Sequence, residues 1–123
     1  MQHAPGFLDI VNEAKTRVSE IDADTLESWI TQNKSFVLID VREQSEFAAG
    51  AIAKAIHLSK GVIERDIEKT IFDKSVPLVL YCSGGFRSVL AADNIQKMGY
   101  SAVWSLTGGS KNWLTTGREF SQK

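Results

Sequence analysis

The chain is poor in the groups on which several chemistries depend. Its 123 residues include one cysteine, Cys82, two histidines, His3 and His57, and two prolines. A lone thiol cannot close an internal disulfide or build a cysteine-cluster metal site, so no metal ligand set is assigned. Cys82 is then either an inert core thiol or a reactive one. Charge of one sign is also missing. Lysine and arginine number 14 against 15 acidic residues, a formal net charge of −1, which gives no basis for a nucleic-acid or membrane partner. No apolar run approaches the roughly 20 residues needed to span a bilayer, and residues 1–6 lack the basic-then-apolar order of a signal peptide. The cytoplasm is the expected compartment. Neither an internal repeat nor a low-complexity linker interrupts the chain, and its length suits one domain with its own core.

What is present is an alternation of two hydrophobic periods. Phe7, Leu8, Val11, Ala14 and Val18 recur at helical spacing, so residues 1–19 are expected to form an N-terminal helical extension packed on a domain of residues 20–123. Asp22 is placed to cap a second helix running to Thr31, with Ile21 stapled onto Leu26. Residues 36–41 form a near-continuous apolar run, the pattern of a strand covered on both faces. Residues 42–49 read as a short helix or turn ending at Gly50, residues 55–58 as a strand and residues 62–71 as a helix. The run from Val76 to Tyr81 reads as a buried parallel strand, followed by a helix over residues 89–98 that stops at Gly99. Residues 102–106 form the last strand, Gly108-Gly109 turn the chain, and Lys111 opens a final helix ending near Gly117. Strands that alternate with helices predict an α/β domain with a mostly parallel central sheet and helices on both faces.

Cys82 follows directly on the strand ending at Tyr81, and the carboxyl ends of strands are where open α/β sheets place their ligands. The loop Ser83-Gly84-Gly85-Phe86-Arg87-Ser88 then leads into a helix. Adjacent glycines let successive N–H groups turn inward as an anion-binding nest, to which the helix N-terminus adds partial positive charge. Arg87 adds a permanent cation. Surroundings of this kind lower a thiol's pKa from about 8.5 into the range of about 3.5–7.5, so Cys82 is expected to be a nucleophile at neutral pH. A cation at a helix start opposes the helix dipole, which suggests a compensating anion in the loop. Ser88 is read as a helix cap. Trp29, Trp104 and Trp113 are read as core and rim aromatics, and nothing in the sequence supports pairing Cys82 with His57.

The motif Cys82-x-x-Gly85-x-Arg87-Ser88 has company elsewhere in the chain. Upstream lie Leu38-Ile39-Asp40-Val41-Arg42-Glu43 and Glu46-Phe47-x-x-Gly50-x-Ile52; downstream lies Leu106-Thr107-Gly108-Gly109-x-x-x-Trp113. Together, over roughly residues 20 to 117, they resemble the single-domain rhodanese family of sulfurtransferases. The resemblance implies a rhodanese-like fold and a thiosulfate sulfurtransferase without cofactor. Cys82 and Arg87 would be catalytic, and Ser83, Gly84, Gly85, Phe86 and Ser88 would form the substrate loop. Asp40 and Arg42 match an Asp-x-Arg signature as supporting residues, with a structural tie favoured over direct catalysis. The implied partners are a small-molecule sulfur donor and acceptor, with a protein thiol as a further acceptor. Ala51 and Lys54 depart from the family pattern, standing where it usually has a histidine and a glycine. Two other readings stand beside this one. The first is a sulfur carrier or regulatory rhodanese module. The second is an oxyanion phosphatase or arsenate reductase, disfavoured because the phosphatase signature has one residue more between cysteine and arginine.

Overall fold

The computed structural model describes residues 3–121. In chain order the elements are α1 (Pro5–Lys15), β1 (Ser19–Ile21), α2 (Ala23–Thr31), β2 (Val37–Asp40), α3 (Gln44–Ala49), β3 (Ile56–His57), α4 (Ile63–Thr70), β4 (Leu78–Tyr81), α5 (Arg87–Lys97), β5 (Val103–Leu106) and α6 (Gly109–Thr115). The five strands form one sheet in the order β1-β5-β4-β2-β3, and every neighbouring pair is parallel. The apolar strands β2, β4 and β5 lie together in its interior, as continuous burial requires.

Strand alternation sorts the side chains into two cores. Along β4, Leu78 and Leu80 join Val11 and Ala14 of α1, Ile63 and Ile67 of α4, and Val89, Ala92 and Ile95 of α5. Val79 and Tyr81 point the other way, to Leu26 of α2 and Trp113 of α6. Cys82 continues the parity of Leu78 and Leu80 and belongs to the first core. Helices therefore cover both faces, as the alternation of strands and helices predicts. Among the described residues no helix is long and apolar enough to cross a membrane.

The differences from sequence expectation lie at element ends. Helix α1 stops at Lys15, and the chain then extends into β1, an edge strand that the periodicity does not reveal. Val18 is still buried, but after the helix rather than on it. Its neighbour Arg17 reaches α5, with Nη2 2.7 Å from Asp93 Oδ2. Asp22 caps α2 as expected, its carboxylate accepting the Thr25 N–H at 2.8 Å.

Candidate active site

Cys82 lies where β4 gives way to the loop, with 1% of its surface exposed. The Gly85 N–H donates to its Sγ at 3.1 Å and the Ser88 N–H at 3.4 Å. The Ser88 hydroxyl is 3.5 Å from the sulfur and 2.8 Å from the hydroxyl of Ser105 on β5. Both serines are fully buried, and Ser88 lies inside α5 with its hydroxyl turned to Ser105 and the sulfur rather than capping the helix as the sequence suggests. On the same loop the N–H groups of Ser83, Gly84, Phe86 and Arg87 donate to no acceptor among the described residues. The loop is thus a cradle of neutral donors with spare capacity.

The two loop glycines are not equivalent. Gly85 has φ +93, and a Cβ there would stand 2.9 Å from the backbone nitrogen of Gly108. Gly84 has an ordinary φ, and a Cβ would meet nothing closer than 3.9 Å. Only Gly85 is required by the backbone. The first turn of α6 closes the loop from the other side: the N–H groups of Ser110 and Lys111 donate to the carbonyls of Cys82 and Ser83 at 2.8 and 3.0 Å. Gly109 makes this approach possible, because with φ +59 a Cβ would fall 2.4 Å from the Cys82 carbonyl oxygen. This docking starts α6 at Gly109, earlier than the Lys111 start that the sequence suggests.

Arg87 opens α5 and pairs with Glu46 of α3, its Nη1 lying 3.1 Å from Oε1 and its Nη2 3.4 Å from Oε2. The anion that the sequence suggests for the loop is, in the structure, a carboxylate brought from another helix. Glu46 also accepts the Glu43 N–H at 2.9 Å. The Arg87 hydrogen bonds are the main reason that the Glu46 carboxyl is held below its usual range, with burial opposing. Arg87 is held above its ordinary value by its hydrogen bonds to Glu46, with burial opposing. Phe86 faces the N-terminal helix instead. Its ring meets His3 edge-on at 4.7 Å and Phe7 at 6.2 Å, and Lys15 Nζ lies 5.7 Å from its centre.

Asp40 and Arg42 form a separate network on the opposite face of the sheet. Arg42 Nε lies 3.0 Å from both Asp40 carboxylate oxygens, and its Nη2 reaches Oδ2 at 2.7 Å and the Gly50 carbonyl at 2.7 Å. The Tyr81 hydroxyl donates to Asp40 at 2.8 Å and accepts the Ile52 N–H at 3.1 Å. Burial, then the Asp40 charge, pushes the Tyr81 phenol well above its ordinary value, so it remains a donor. Burial also opposes the Arg42 charge, but the hydrogen bonds and charge of Asp40 outweigh it. His57 is tied to the same corner, its Nε2 2.7 Å from the Arg42 carbonyl and its ring stacked on Phe47 at 4.8 Å.

The structure brings Cys82, Ser83, Gly84, Gly85, Phe86, Arg87 and Ser88 together and leaves Asp40 and Arg42 apart. It adds Glu46, Ser105 and Gly109, which sequence reasoning did not assign to the site. Ser105 carried a signal, a hydroxyl inside the apolar strand run Val103-Trp104-Ser105-Leu106. Gly109 is legible only as part of a turn, and Glu46 only as a structural tie for Asp40 and Arg42, whereas the structure pairs it with Arg87.

Comparison with known proteins bears on the family and the fold. The rhodanese-like domain profile matches residues 22–116. The thiosulfate sulfurtransferase GlpE of Coxiella burnetii is 35% identical over 89 residues, 72% of this chain and 81% of that protein. A sulfurtransferase of Allochromatium vinosum is 32% identical over 100 residues, 81% of this chain and 92% of its own. Among solved structures, the polysulfide-sulfur transferase homodimer of Wolinella succinogenes superposes with a TM-score of 0.79 at 25% identity, covering 96% of this chain and 88% of that one. A Rhodopseudomonas palustris protein of unknown function, described as a possible tyrosine phosphatase, gives 0.88 at 26% identity over 98% of both chains. With a domain profile that spans most of the chain and relatives named sulfurtransferases, this protein is a member of the rhodanese family.

Proposed function

We propose that the protein is a sulfurtransferase that carries sulfane sulfur as a persulfide on Cys82, with thiosulfate or another sulfane as donor. The observation that carries this reading is the cradle itself: a buried thiol that already accepts two backbone N–H groups, on a loop with four more left unpaired. The Cys82 thiolate attacks the outer sulfur of thiosulfate. A new S–S bond forms, the old one breaks, and sulfite leaves with the electron pair. The unpaired loop amides hold the anionic outer sulfur of the persulfide, a preorganised stabilisation of the oxyanion-hole kind. A nucleophile, cyanide in an assay or a thiol, then takes the outer sulfur and returns the thiolate. The two half-reactions predict ping-pong kinetics. With no second cysteine in the chain, the acceptor is external.

The loop also weighs against phosphatase chemistry. Four residues separate Cys82 from Arg87, one fewer than the phosphatase signature, and Arg87 is engaged by Glu46 rather than aimed at a phosphoryl group. The shorter cradle suits a single sulfur atom.

Intact mass measurement tests the proposal. After thiosulfate the wild type is expected to gain one sulfur atom, cyanide to remove it as thiocyanate, and Cys82→Ser to show neither while remaining folded. Absence of added sulfur with thiosulfate and with polysulfide would overturn it.

A further inference from the structure

The Cys82 cradle occupies the carboxyl end of the sheet, and a cavity lies at the other end. It has a volume of about 340 Å³ and sits where β2 begins, walled by Trp29 and Ile30 of α2, by Lys34, by Phe36 and Val37, and by Lys54 in the turn before β3. That size falls within the range of small-molecule sites, about 300–1,000 Å³. The rhodanese reaction at Cys82 makes no use of it.

Three features give the cavity a chemical character. Its aromatic wall is fixed, because the Trp29 ring meets Phe36 at 5.5 Å and Trp104 at 5.3 Å, both edge-on. The Lys34 ammonium is held 4.0 Å from the centre of the Trp29 ring, a cation–π contact that stations a charge at the wall. Lys54 has φ +71, in the left-handed region where lysine is strained and glycine is not. Neither lysine meets a carboxylate among the described residues. The chain thus keeps a strained residue on the cavity, and that residue adds a second cation without a carboxylate partner beside the aromatic wall.

We propose that this cavity binds a small organic anion with a flat apolar body, an aromatic carboxylate or sulfonate. Lys34 and Lys54 hold its charge, and Trp29, Ile30 and Phe36 face its ring. The site is separate from the sulfur-transfer centre and does not rest on that reading.

The fluorescent anion 8-anilinonaphthalene-1-sulfonate is a direct probe, and N-phenyl-1-naphthylamine is its uncharged counterpart. The wild type is expected to bind the sulfonate saturably at one site, and Cys82→Ser to bind it equally well. Lys34→Gln and Lys54→Gly should each weaken it by about fivefold, as loss of one partly screened charge contact implies. Binding of the neutral counterpart should be unchanged in both variants. Lys54→Gly should also melt at a higher temperature than the wild type, since glycine relieves the strained backbone. A rise in melting temperature with unchanged sulfonate affinity would overturn the proposal and leave Lys54 as backbone strain alone. Displacement of the probe by thiosulfate would overturn it as well, by placing the probe at Cys82.

Discussion

Tyr81 and Cys82 are neighbours in the chain, yet strand alternation sends them into two buried polar environments built in opposite ways. On the Tyr81 side, Asp40 and Arg42 pair with each other, and the phenol and the Gly50 carbonyl add further hydrogen bonds. On the Cys82 side the partners are neutral N–H groups, and donors on the loop are left over. A closed ionic network fixes the end of a strand. An open neutral one has donors to spare, as the proposed persulfide on Cys82 requires. The difference teaches that burial of a polar group does not by itself mark chemistry; unused hydrogen-bonding capacity beside a thiol is the feature on which the proposal rests.

The sharpest way to break this comparison is to remove Asp40. Arg42 would be left as an uncompensated buried charge, so Asp40→Ala is expected to cost about 3–5 kcal/mol in urea denaturation. The fraction that remains folded should still acquire sulfur from thiosulfate. If persulfide formation failed in folded Asp40→Ala protein, the two networks would have to be regarded as one.

A smaller effect separates the two loop glycines. Gly85→Ala would put a Cβ against the Gly108 backbone at an unfavourable φ. It should cost about 1–2 kcal/mol and slow sulfur loading by distorting the N–H that faces Sγ. Gly84→Ala should stay within about 0.5 kcal/mol of the wild type and load normally. Melting curves and loading rates of the pair check this. Equal damage at both positions would mean that the whole loop, rather than one backbone position, is under constraint.

What was legible in the sequence is what lies close together in the chain. Cys82, Gly85, Arg87 and Ser88 lie close together in the chain, and their position after an apolar strand run is what marks them as a candidate site. The Asp22 cap was legible for the same reason, since donor and acceptor lie three residues apart. Glu46 was not, because it meets Arg87 across 41 positions of sequence, nor was the docking of α6 on the Cys82 carbonyl, which depends on Gly109 approaching a distant backbone. Strand β1 escaped because Ser19, Glu20 and Ile21 show no apolar alternation; only pairing with β5 makes them a strand. Gly84 and Gly85 look alike in the sequence because composition does not report φ, which only at Gly85 is left-handed.

The smallest expected effect concerns the Arg87–Glu46 pair beside the Cys82 loop. Glu46 has its pKa depressed by Arg87, so the pair stabilises the fold fully above the unfolded carboxyl value of about 4.3. That contribution is lost as pH falls through the lower folded value. The Glu46 side chain is 35% exposed, and solvent screening keeps the stabilisation below about 1 kcal/mol. Glu46→Gln should therefore melt slightly lower than the wild type at neutral pH, and the gap should close in acid. Activity should move the other way, because glutamine cannot neutralise Arg87. The KM for thiosulfate should fall by about two- to threefold, the scale of a screened surface charge, while an uncharged sulfane donor is unaffected. A KM that falls equally for both donors would mean that Glu46 acts on the shape of the loop rather than on its charge, and Arg87 would then be a support for the cradle instead of an attractor for the donor.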